Sequence, residues 1–142
     1  MKIIVLQNES ESLEEIRRAV TRINPERADE IRFTSEPDEV LELIDTDNPV
    51  FVVTDQILGR SLRGTDLARL IKRVNSQAIV FIYSDMCIAN EAVNGVIQKK
   101  IDSYLLGEHT LLANILASDL DDGFTPERIQ RDFAPSKSIW EN

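Results

Sequence analysis

A single cysteine, Cys87, leaves no partner for a disulfide inside this chain, and beside Met86 and Ile88 it reads as a small buried apolar residue with no redox role. A single histidine, His109, makes neither a phosphotransfer module nor a metal centre by itself. Positive charge is scarce. Against 25 acidic residues there are 16 Lys and Arg, a net charge of −9, which opposes any broad phosphate-binding surface and argues against nucleic acid as a direct partner. Long apolar runs are missing too: the opening Met1-Lys2-Ile3-Ile4-Val5-Leu6 is too short for a signal peptide or a membrane span. No membrane association is expected, and the cytoplasm is the expected compartment.

What is there is a chain of 142 residues, 42% apolar, enough for one domain with a real core and a tail. Short apolar runs alternate with segments of helical period, the pattern of βα units around a parallel sheet. Strands are expected at Ile3 to Leu6, Glu30 to Thr34, Val50 to Thr54, Ala78 to Tyr83 and Ser103 to Leu106, rich in Ile, Val and Phe. Between and after them, apolar residues fall on one helical face: Leu13, Ile16 and Val20; Val40, Leu43 and Ile44; Leu67, Leu70, Ile71 and Val74; Val93, Val96 and Ile97; Leu112, Ile115 and Leu116. Ser35 ahead of Glu36-Pro37-Asp38 has the form of a helix start with a hydroxyl cap. With right-handed crossovers the expectation is a doubly wound α/β fold, a five-stranded parallel sheet between two helical layers, flavodoxin-like in outline.

The carboxyl ends of strands in such a sheet converge on one edge, where ligands and chemistry collect. Asp55 closes the buried run Val50-Phe51-Val52-Val53-Thr54 there, and Gln7-Asn8, Ser84-Asp85 and Gly107-Glu108 are expected beside it. Several of these residues resemble the receiver domain of two-component response regulators. Lys2-Ile3-Ile4-Val5-Leu6 opens the fold and Asp55 matches the phosphoacceptor. Gly64 with Asp66-Leu67 matches the start of the third family helix, Ser84 the hydroxyl after strand four, and Asp102-Ser103-Tyr104-Leu105 strand five with its switch aromatic at Tyr104. The match runs from about residue 2 to about residue 119, so residues 1–120 are expected to be the receiver-like domain.

The departures from that pattern bear on the chemistry. Where the family carries an acidic pair for a divalent cation, this chain has Gln7 and Asn8, which offer carbonyl oxygens without charge. Two unit charges about 4 Å apart at an effective dielectric of about 20 are worth about 4 kcal/mol, so each missing carboxylate is a serious loss for magnesium. Asp55, the one metal-ligand candidate left, would hold that ion weakly; no other metal and no cofactor is implied. Gly107 replaces the family lysine that pairs with the phosphoryl group, and Glu108 replaces the proline after it. Asp85 stands where a small residue usually leaves the site open; it would repel a phosphoryl group or stand in for a lost ligand. Gly59 falls where proline is common, in a loop one residue longer than usual. Arg60 and Arg63 in that loop are either substitute positive charge or two solvated arginines.

Three functions fit these residues. The first is an atypical, stand-alone pseudo-receiver with impaired phosphoryl acceptance, working by protein–protein contact in two-component or phosphorelay signalling. The second is a receiver still phosphorylated on Asp55 by a histidine kinase or phosphotransfer protein, the carboxylate attacking phosphorus in line. The third is a flavodoxin-like domain binding a small molecule at the same edge. It is disfavoured because Asn8-Glu9-Ser10-Glu11 is acidic where a phosphate loop needs N–H donors. The resemblance implies a signalling domain and not an enzyme beyond self-phosphorylation. It places the partner, a kinase, a phosphotransfer protein, another signalling protein or a second copy, on the face built by the fourth helical segment, strand five and the last helix. The plainer readings stand beside these: Asp55 accepting backbone N–H groups at a strand end, Ser84 satisfying local backbone, and Tyr104 as an ordinary aromatic. Residues 121–142 form a tail, too short for a DNA-binding output domain. Thr125-Pro126-Glu127 starts one more short helix there, whose Ile129 and Phe133, with Trp140, have apolar surface to bury on the domain or on a partner.

Overall fold

A computed structural model describes residues 1–56, 58–59, 62–84, 103–106 and 109–118. Five strands, β1 (Lys2–Leu6), β2 (Ile31–Thr34), β3 (Val50–Thr54), β4 (Ile79–Ser84) and β5 (Ser103–Leu106), form one parallel sheet in the order β2-β1-β3-β4-β5. The described helices are α1 (Ser10–Ile23), α2 (Pro25–Glu30), α3 (Pro37–Leu43), α4 (Gly64–Val74) and α5 (His109–Ala117). The α/β architecture expected from the alternating pattern is therefore present.

The strands are buried on both sides, so their residues divide by parity between two cores. Ile3, Val5, Phe51, Val53, Phe81 and Tyr83 meet Ile16 and Val20 of α1 and Leu112, Ile115 and Leu116 of α5. Within that layer the Phe51 and Phe81 rings pack edge to face with centroids 5.2 Å apart. Ile4, Leu6, Val50, Val52, Val80 and Ile82 meet Val40 of α3 and Leu67, Ala68 and Ile71 of α4 on the opposite face. The result is three layers, helices on a sheet on helices.

Three expectations need correction. Glu30 belongs to the end of α2, and β2 starts one residue later at Ile31. Asn24 caps α2 through its side-chain oxygen, which accepts the Arg27 N–H at 3.1 Å, and Pro25 is pre-set for the first turn. Ser35 is not the cap of α3: Glu36 holds that position, and the hydroxyl that works there is that of Thr34, accepting the Glu36 N–H at 3.1 Å and donating to Glu39 at 2.8 Å. On α4, Leu70 is only half-buried and Val74 is exposed, because the helix turns Leu67, Ala68 and Ile71 to the sheet instead. The fourth helical segment with Val93, Val96 and Ile97 lies outside the described residues, as does the tail.

Opposite the carboxyl edge, the sheet is clasped by polar side chains. Lys2 Nζ donates to the Leu43 carbonyl at 2.7 Å, and the buried Asn75 amide donates to the carbonyls of Asp45 (2.9 Å) and Asn48 (2.8 Å) while accepting from Gln77 N–H (3.0 Å). The β3 entry loop is thereby tied to the end of α4.

Candidate functional site

After β1 the chain moves out to β2, and β3 then returns to the other side of β1, so the strand order reverses between β1 and β3. This switch point opens a crevice at the carboxyl ends. Leu6 and Thr54 are Cα partners in the ladder, and Asp55 N–H still donates to the Leu6 carbonyl at 2.9 Å. Gln7 and Asp55 consequently leave the sheet side by side.

Their side chains behave differently. Asp55 is half-buried, and its Oδ2 lies 3.4 Å from the backbone N–H of Asn8. Gln7 is only 3% exposed; its amide turns back to donate to the Leu6 carbonyl at 3.0 Å, and its own N–H bonds to Thr34 O at 3.2 Å. Asn8 is exposed and meets Asp55 with a donor, not an oxygen. A hard divalent cation needs convergent oxygens, and an N–H aimed at the same carboxylate is the opposite provision. Gln7 and Asn8 therefore bring no charged oxygen to a cation beside Asp55. Among the described residues no three His, Cys, Asp or Glu side chains converge to hold any metal.

The other wall is the start of α4. Gln56, 1% exposed, accepts Gly64 N–H on its backbone carbonyl (2.8 Å) and Thr65 N–H on Oε1 (3.1 Å), occupying two donors that the first turn would leave open. Gly64 packs so closely that a Cβ there would collide with the Asp55 carbonyl and come to 2.7 Å from Ile82 Cδ1. Asp66 reaches back to accept the Arg63 N–H at 3.2 Å. Gly59 has φ +153°, which the proline ring forbids and glycine tolerates, accounting for one departure in the loop. The sequence signals Gln56 only as a polar residue directly after a strand-end aspartate.

Of the other candidates, Ser84 ends β4 two residues beyond Ile82, the ladder partner of Thr54, and Tyr104 lies in β5 opposite Ile82. Arg63 is exposed at the N-cap of α4. Asp85, Gly107, Glu108, Arg60 and Cys87 lie outside the described residues. Two surface hollows sit away from Asp55: one of about 260 Å³ lined by Asp47, Asn48 and Asn75, and one of about 380 Å³ at the outer edge of β2 lined by Arg17, Arg32 and Phe33.

No protein-family model and no curated protein matches the chain. Solved structures do. A response regulator from Burkholderia pseudomallei, with a phosphorylated aspartic acid, calcium ion and citrate, superposes with a TM-score of 0.64 at 17% identity, covering 99% of this chain and 74% of that one. A receiver domain from Clostridium thermocellum gives 0.60 at 22% identity, over 82% and 93%. The fold is that of a receiver domain. The same receiver fold is shared with a protein named adenylate cyclase from Rhodopirellula baltica, TM-score 0.65 at 13% identity over 92% and 97%, so the likeness at these identities is one of architecture. Among the described residues no helix is long and apolar enough to cross a membrane.

Proposed function

We propose that this chain is a pseudo-receiver of two-component or phosphorelay signalling. In this reading it works by contact with other signalling proteins, and Asp55 serves mainly as architecture. The observation that carries the reading is Gln7: where a receiver site needs a charged oxygen for a cation, this side chain is buried, uncharged and hydrogen-bonded back onto its own strand. Asn8 supports it by presenting an N–H to Asp55. The partners are a histidine kinase, a phosphotransfer protein or another signalling protein, and residues 121–142 are a tail to the receiver-like domain.

A second reading, Asp55 as a working phosphoacceptor, draws on that same hydrogen bond, since the Asn8 N–H would also steady an anion. It draws further on the Burkholderia pseudomallei response regulator, whose aspartic acid is phosphorylated.

Magnesium calorimetry on the wild type and on the Gln7→Asp/Asn8→Asp double variant tests the proposal. The wild type should bind only weakly and the variant at least about tenfold more tightly, because two carboxylates are returned to the crevice. Equal and tight binding by both proteins would count against it.

A further inference from the structure

Helix α4 carries apolar surface that the core does not use. Val74 is 38% exposed, one of two large apolar side chains left in solvent among the described residues, and Leu70 sits one turn before it, half-buried. Four residues apart, the two form one stripe along the helix. Arg69 and Arg73, also four apart and both exposed, run beside that stripe.

Some arginines of the described residues hold a carboxylate and others, Arg17 and Arg22 as well as Arg69 and Arg73, do not. Arg18, Arg27 and Arg32 each hold a carboxylate, on Glu14, Glu30 and Glu39 respectively. Among the described residues, the side chains of Arg69 and Arg73 make no salt bridge or hydrogen bond. Like charges at this spacing cost a helix a few tenths of a kcal/mol. The helix dipole offsets that for Arg73 in the last turn but not for Arg69 in the middle. In a chain of net charge −9, with Asp and Glu plentiful, two neighbouring arginines without a carboxylate are open to an acidic partner.

We propose that the Arg69, Leu70, Arg73 and Val74 face of α4 docks an acidic amphipathic helix of a partner protein. Leu70 and Val74 take its apolar residues, and the guanidinium forks take its carboxylates. The inference rests on the reading that this chain works by protein contact, and moves the contact away from the Tyr104 face. It also links the contact to the site, because the first turn of α4 is locked to Asp55 and Gln56, about 7 Å along the helix axis from Arg69.

The test uses the full chain and a fluorescein-labelled helical peptide of about 20 residues, long enough to hold a helix in water, with leucines four apart flanked by glutamates. A second peptide carries lysine in place of every glutamate. Wild-type protein should bind the glutamate peptide saturably and ignore the lysine one. Arg69→Glu/Arg73→Glu should weaken the first by about tenfold or more and gain the second, and Leu70→Ser/Val74→Ser should weaken the first comparably. All four positions are exposed or half-buried, so circular dichroism melts should show every variant folded. No binding by the wild type, or binding of the glutamate peptide by either variant as tight as by the wild type, overturns the inference. So does sedimentation showing that wild type self-associates through this face, which would make the occupant a second copy. Phosphate acceptance by Asp55 does not enter these titrations, so their failure is distinguishable from failure of the pseudo-receiver reading.

Discussion

Gly64 and Asp55 touch backbone to backbone: the Gly64 Cα leaves no room for a Cβ beside the Asp55 carbonyl. Gly64→Ala should therefore destabilise the fold by roughly 1–3 kcal/mol through overpacking, since neither a backbone carbonyl nor the buried Ile82 side chain can withdraw cheaply. Urea unfolding reads this directly, and a midpoint unchanged from wild type would show that the corner is looser than described.

Asn75 supplies three hydrogen bonds from a buried position at the opposite end of the sheet. Replacing it by alanine orphans the Asp45 and Asn48 carbonyls and the Gln77 N–H. A loss of about 2–3 kcal/mol is expected, with water reaching the loop groups softening the full penalty. Asn75→Asp keeps the acceptor and removes both donors, so its loss should approach that of alanine. A neutral Asn75→Ala would remove the clasp from the account.

Glu39 and Asp45 link stability to pH. The Thr34 hydroxyl, then Arg32, hold the Glu39 carboxyl below its usual range; Asn48, then Lys2, do the same for Asp45. Both groups bind protons more weakly folded than unfolded, so their contribution is complete above the ordinary carboxylate range and is lost as pH falls through the folded values. Thermal melts from pH 7 down to about 3 should show wild type losing more stability than Glu39→Gln/Asp45→Asn. In Thr34→Val, carbon-detected NMR should find Glu39 titrating at higher pH than in wild type. A titration at the wild-type value would contradict the assigned hydrogen bond.

The strands and the place of Asp55 were legible because burial on both faces writes an uninterrupted apolar run, and a run that ends in a carboxylate marks the sheet edge. Periodicity was less informative about rotation. It grouped Leu70 and Val74 with Leu67 and Ile71, but which residues meet the sheet depends on where α4 is anchored, and the Gly64 and Gln56 contacts decide that. Helix α2 escaped although Asn24-Pro25 spells its start, because six residues bury little more than Ala28 and leave almost no apolar pattern. The inward turn of Gln7 was illegible for another reason: a residue just past a strand has no face assigned by period, and its partner is a backbone carbonyl that no sequence pattern reports.

In the proposed function Asp55 accepts phosphate poorly, because Gln7 and Asn8 bring no charged oxygen for a cation to its crevice. Intact mass after incubation with a small phosphodonor and magnesium, with Asp55→Asn in parallel, tests it most directly. Both proteins should keep the unmodified mass. A stoichiometric phosphate adduct on the wild type alone would contradict it and make Asp55 a working acceptor.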